Sequence, residues 1–131
     1  MIERWLIHRA ASGDPEARAV LRIFAAVDDS RAWDRVDPDG IDFRSILADA
    51  TWSGGERRMM QVAANLWNPA NGLVDLTDCC ALDARWFGVV LDAIVLRRAG
   101  TGGRRMPLSE SDAWRRALDD LEPHAELEVD G

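Results

Sequence analysis

The sequence predicts an all-α fold: a single domain of five to seven helices around a central apolar helix at about residues 83–98. Three observations lead there. Apolar residues recur at helical spacing along most of the chain, with little strict alternation. Helix starts and stops are written out as capping residues, prolines and glycines. And 131 residues with 47% hydrophobic and 30% charged side chains suit one globular domain with a single core.

Residues 2–12 form a first helix carrying Ile2, Trp5 and Leu6. Asp14-Pro15-Glu16 starts a second, with a capping side chain, a proline at the first helical position and an acid in the first turn. That helix places Ala17, Val20, Leu21, Phe24 and Val27 on one face and Arg18 and Arg22 on the other. Residues 28–40 are polar and end in the turn Asp37-Pro38-Asp39-Gly40. Phe43, Ile46, Leu47 and Ala50 mark a short helix. Ser53 and Glu56 are spaced as a capping box, opening a helix whose apolar face is Met59, Met60, Ala63, Leu66 and Trp67. Asn68-Pro69-Ala70-Asn71-Gly72 stops it.

A short helix near Asp75–Cys80 precedes the long one from about Asp83 to Arg98, whose apolar residues wrap most of its circumference. A helix of that kind is buried on all sides or covered by a partner. Gly100 ends it, the stretch GTGGRRMP reads as a flexible linker, and a last helix over about Glu110–Leu121 carries Ala113, Trp114, Ala117, Leu118 and Leu121 on one face. The domain thus runs over residues 1–122, with residues 123–131 a disordered acidic tail.

The net charge of −7 is unevenly placed. Six of the 23 acids lie from Asp119 onward with no Arg among them, leaving 17 acids against 16 arginines in residues 1–118. The body is nearly neutral and the acidity sits at the end. All 16 basic residues are Arg, so no lysine serves as a nucleophile or Schiff-base former. The first residues, MIERWLIHRAASG, lack the apolar run of a secretory signal, and no stretch reaches the roughly 20 apolar residues that span a bilayer. With Cys79 and Cys80 read as reduced thiols, the expected location is cytoplasmic.

Catalytic and cofactor chemistry finds little footing. Ser53-Gly54-Gly55-Glu56-Arg57 resembles the signature loop of ABC-type ATPases, but the absence of Lys removes any phosphate-cradling G-x-x-x-x-G-K-[ST] loop. Helix capping is a sufficient reading of Ser53 and Glu56, although the two glycines ask for a further reason, such as a close backbone approach. Asp37-Pro38-Asp39-Gly40 brushes against a calcium loop, yet the register puts Arg35 and Ile46 where ligands belong. Adjacent Cys79 and Cys80 lack zinc spacing, and only His8 and His124 could join them. No catalytic residue, cofactor or metal site is expected.

The helices at 54–67, 75–80 and 83–98 have the layout of a trihelical helix-turn-helix unit, with the last in the recognition position. That helix offers only Asp83, Arg85 and Asp92 for reading bases. The one basic cluster, Arg97, Arg98, Arg104 and Arg105, could contact phosphates. Ser53-Gly54-Gly55-Glu56-Arg57, Ala64-Asn65-Leu66-Trp67-Asn68 and the helix from Leu82 to Arg98 together resemble small helical proteins of GC-rich actinobacteria and their mobile elements, over about residues 50–100. This resemblance implies no activity.

The expected function is therefore non-enzymatic: protein–protein contacts, with a homodimer as one form, centred on Trp86, Phe87, Val90 and Ile94. Within that helix Val90 is expected at the centre, and Val89 and Val95 at the periphery. The alternative is a nucleic-acid-associated regulator using Arg97, Arg98, Arg104 and Arg105.

Overall fold

The structure, a computed structural model, describes residues 2–98. Its elements are α1 (Ile2–Ala11), α2 (Pro15–Val27), α3 (Ser30–Trp33), β1 (Val36–Asp37), β2 (Gly40–Ile41), α4 (Phe43–Ala48), α5 (Gly54–Trp67), a 3₁₀ turn (Pro69–Asn71), α6 (Leu76–Cys80) and α7 (Ala84–Arg98). Seven α-helices among the described residues bear out the all-α reading. The last expected helix, residues 110–121, and the acidic tail lie outside the described residues.

Side-chain caps set most helix starts. Asp14 accepts from the amide of Ala17 and Pro15 occupies the first turn of α2. Asp29, Asp42 and Asp75 start α3, α4 and α6 in the same manner. Asp28 ends α2 in the left-handed conformation (φ 48°), with its amide donating to the Phe24 carbonyl.

Residues 28–40 carry more structure than their polarity suggests. One helical turn, α3, buries Ala32, and a two-residue turn at Pro38-Asp39 joins β1 to β2 with Val36 opposite Ile41. Gly40, at φ +146°, takes a backbone conformation that a residue with a Cβ rarely adopts. Both elements were hidden by shortness: four residues and two residues give no readable period.

The core forms around α2. Every side chain from Ala19 to Ala26 is buried, because α1, α5 and α7 each pack along a different side of it. Two faces of α2 were expected, with Arg18 and Arg22 opposite the apolar one. Instead Arg22 is 6% exposed, and its Nε donates to Asp92 of α7 at 3.3 Å. The apolar helix α7 makes its most extensive packing on α2, so the two helices run together through the middle of the domain.

Candidate protein-contact face

Each face of α7 has its own surroundings. Val89, Val90, Ala93 and Leu96 are buried against the rest of the domain. Phe87 and Val95 are half-buried, and Leu91 and Ile94 are 49% and 41% exposed. Spacings of four and three put Phe87, Leu91 and Ile94 on one side of the helix, with Val95 one turn beyond Leu91. That side is an apolar stripe pointing away from the core.

The four residues expected to form one interface are therefore divided. Phe87 and Ile94 belong to the outward stripe. Val90 is only 3% exposed and belongs to the core. Trp86 is half-buried, with its ring beside the first turn of α5. Val89, expected at the periphery, is 2% exposed. Periodicity could not make this division, since both sides of α7 carry residues of the same kind. Leu91, the most exposed apolar residue of the stripe, was part of the apolar wrap in the sequence but was not singled out.

The basic cluster is divided too. Arg97 turns back into the domain: its Nε donates to the Leu66 carbonyl at 3.0 Å, and its Nη2 lies 3.5 Å from Glu16. Its Nη1 is buried without a hydrogen-bond partner among the described residues. Arg98 is exposed at the end of α7. Arg104 and Arg105 lie outside the described residues. Leu73 and Leu76, at 95% and 70% exposed, form a second outward apolar pair where the chain enters α6.

The Ser53–Glu56 loop is a complete capping box. The Glu56 amide donates to the Ser53 hydroxyl at 3.2 Å, and the Ser53 amide donates to the Glu56 carboxylate at 2.8 Å. Glu56 also lies 3.4 Å from the Arg31 guanidinium, which stacks 3.9 Å above the Trp52 ring. The two glycines differ. A Cβ at Gly55 would meet the Trp86 ring at 3.2 Å, so this glycine admits the ring of α7 against the backbone of α5. A Cβ at Gly54 would meet only the far end of Arg58, at 3.7 Å.

The cysteines are free, Cys79 buried and Cys80 exposed. Burial, with Cys80 and the acids Asp78 and Asp75 nearby, pushes the Cys79 thiol up, away from the thiolate form that reacts. Among the described residues no group of three or more His, Cys, Asp or Glu side chains could hold a metal ion, and no helix is long and apolar enough to cross a membrane.

A second feature joins aromatic rings with arginine. Arg9 lies over both Trp5 and Trp67, at 5.1 and 5.0 Å, while Asp14 pairs with its guanidinium. These contacts tie α1 to the end of α5 and read as structural staples.

By fold and surface, then, this is an all-α domain that, among the described residues, leaves one apolar face of a helix exposed. No family model matches the chain, and neither a curated protein nor a solved structure resembles it closely enough to count as a match.

Proposed function

We propose that the protein is non-enzymatic and works through protein–protein contacts made by the outward stripe of α7, with a second copy of the chain as the partner. One observation supports this reading above the rest. Leu91 and Ile94 stand 49% and 41% exposed on a helix whose opposite side is fully packed. Large apolar side chains grouped on one element favour a surface that covers them.

A second copy offers the same stripe, and two-fold pairing places like against like. Two helices packed in this way lie about 8–10 Å apart, close enough for Leu91 and Ile94 of each chain to interleave. Trp86, Val90 and Arg97 then support the face from within, and Phe87, Leu91, Ile94 and Val95 make the contact.

The test is sedimentation of the full chain from low to high micromolar concentration, beside the double variant Leu91→Glu, Ile94→Glu. The wild type is expected to associate as concentration rises, and the variant to stay monomeric with its helical circular dichroism retained. A wild type that is monomeric throughout removes the homodimer reading.

A further inference from the structure

We infer that two copies of the chain pair antiparallel along α7, with Leu91 of each seated on the helix backbone of the other at Gly88. The inference rests on the reading of the stripe as the contact with a second copy. It adds the direction, the register and the residue that sets them.

Gly88 is the residue that asks for a partner. It sits in the middle of α7, where glycine is the least favourable residue after proline. Gly55 has a reason within the domain, the ring of Trp86. A Cβ at Gly88 meets nothing within 4 Å among the described residues. The notch opens beside Leu91, one helical turn further on and 49% exposed. A glycine there lets another backbone come close, near the short end of the roughly 8–10 Å between packed helices.

The seam around the notch is self-complementary in size. Ala84, Gly88, Leu91 and Val95 follow at the alternating four- and three-residue spacing of paired helices. The first two are small and the last two large. An antiparallel two-fold sets Leu91 on Gly88 and Val95 on Ala84, each twice. A parallel two-fold sets Leu91 on Leu91 and Gly88 on Gly88, so the large pair holds the small pair apart.

The two edges of the seam select the same direction. Arg85 and Asp92 lie along one edge, Phe87 and Ile94 along the other. An antiparallel two-fold brings each edge against its own copy. Exposed Arg85 then meets Asp92 of the second copy, and Phe87 meets Ile94. Asp92 also accepts from Arg22 within its own chain, and a carboxylate has about four acceptor positions to share. A parallel two-fold sets the charged edge against the apolar one. The helix dipoles oppose each other only in the antiparallel pair.

The experiment compares the full-length wild type with Gly88→Leu and Arg85→Glu by sedimentation across micromolar concentrations. Gly88→Leu is expected to weaken dimerisation roughly tenfold or more, because the added side chain fills the place of the incoming Leu91. Its Tm at low concentration is expected to be no lower than that of the wild type. Arg85→Glu is expected to weaken the pair severalfold, since it faces Asp92 at both ends of the contact. Direction is read by disulfide trapping with oxidised glutathione in a Cys80→Ser background. A mixture of Ala84→Cys and Val95→Cys chains is expected to cross-link. Ala84→Cys alone is not, because its two copies stand about 16 Å apart along the axis.

Tighter association of Gly88→Leu overturns the inference, because a patch without register gains from an added leucine. A fall in its Tm at low concentration also overturns it, since Gly88 would then serve the domain itself. Self-cross-linking of Ala84→Cys shows a parallel pair and overturns the direction. In all three cases a wild type that dimerises keeps the homodimer reading. A wild type that stays monomeric removes that reading and this inference together.

Discussion

At single residues, the recurring device is an arginine that closes a helix to which it does not belong. Nε of Arg18 in α2 donates to the Ala10 carbonyl at the end of α1, at 2.8 Å. Arg57 in α5 donates to the carbonyls of Leu47 and Asp49 at the end of α4, at 3.0 and 2.8 Å. Arg97 in α7 closes α5 at Leu66. The last four carbonyls of a helix have no partner within it, and a planar guanidinium can serve two at once. Glycines 54 and 55 give a sharper residue-level test. Gly54→Ala removes chain entropy without crowding and is expected to stabilise by about 0.4–1 kcal/mol. Gly55→Ala must push Trp86 aside and is expected to fall below Gly54→Ala. Ser53→Ala is expected to cost about 0.5–2 kcal/mol, the usual loss for an N-cap. Urea unfolding of the three variants measures all of this, and equal gains at both glycines would show that Trp86 yields freely.

Acid is expected to destabilise the protein through the same caps. Hydrogen bonds hold several carboxyls below their ordinary range: Arg31 on Asp29, Ser45 on Asp42 and Thr51 on Asp49. At Asp14 burial pushes upward, and the hydrogen bonds from Glu16, Ala17 and Arg9 outweigh it. A carboxyl whose folded pKa is depressed stabilises the fold above its unfolded value and loses that contribution as pH falls through the folded one. From these groups, Tm is expected to hold steady down to about pH 5 and to fall below about pH 4. A Tm that rose on acidification would contradict the assignment.

At the scale of elements, α2 and α7 show what a sequence reveals and what it hides. Starts and ends were legible: Asp14-Pro15, Ser53 with Glu56, Asn68-Pro69 and Gly72 all act where their chemistry says. Burial was not. Arg22 read as part of the face of α2 opposite the apolar one, and Asp92 as one of three polar residues on an otherwise apolar helix. Their pairing across 70 residues makes both internal, and pairwise distance is the one thing that helical period cannot carry. Similarly, the apolar circumference of α7 announced two covered faces without saying which lay inside. Asp92→Ala removes the carboxylate beside the buried Arg22 guanidinium and is expected to lower stability. Asp92→Asn, which keeps a hydrogen-bond acceptor, is expected to cost less. Comparable losses in denaturant titrations of the two would mean that the charge is irrelevant there.

For the whole molecule, the balance of charge and cover is the open variable. The nearly neutral body and the acidic end are properties of composition, and they were readable at once. Which face stays uncovered depends on how helices meet, and only the fold carries that. Truncation after Glu122 removes a segment that is acidic and short of apolar anchors, and is expected to leave Tm nearly unchanged. A drop of many degrees on differential scanning calorimetry would show that the last residues are anchored to the domain.

The pairing of α2 with α7 also orders events during synthesis. Arg22 leaves the ribosome 70 residues before Asp92, roughly 4–14 s earlier at typical elongation rates. During that interval the side of α2 that packs on α7 waits for its partner helix. α1 is already present and α5 follows, so two sides can be shielded while the third waits. The nascent chain is thus most open to misplaced contacts just before α7 appears, and a chaperone that recognises apolar helices would meet this protein there.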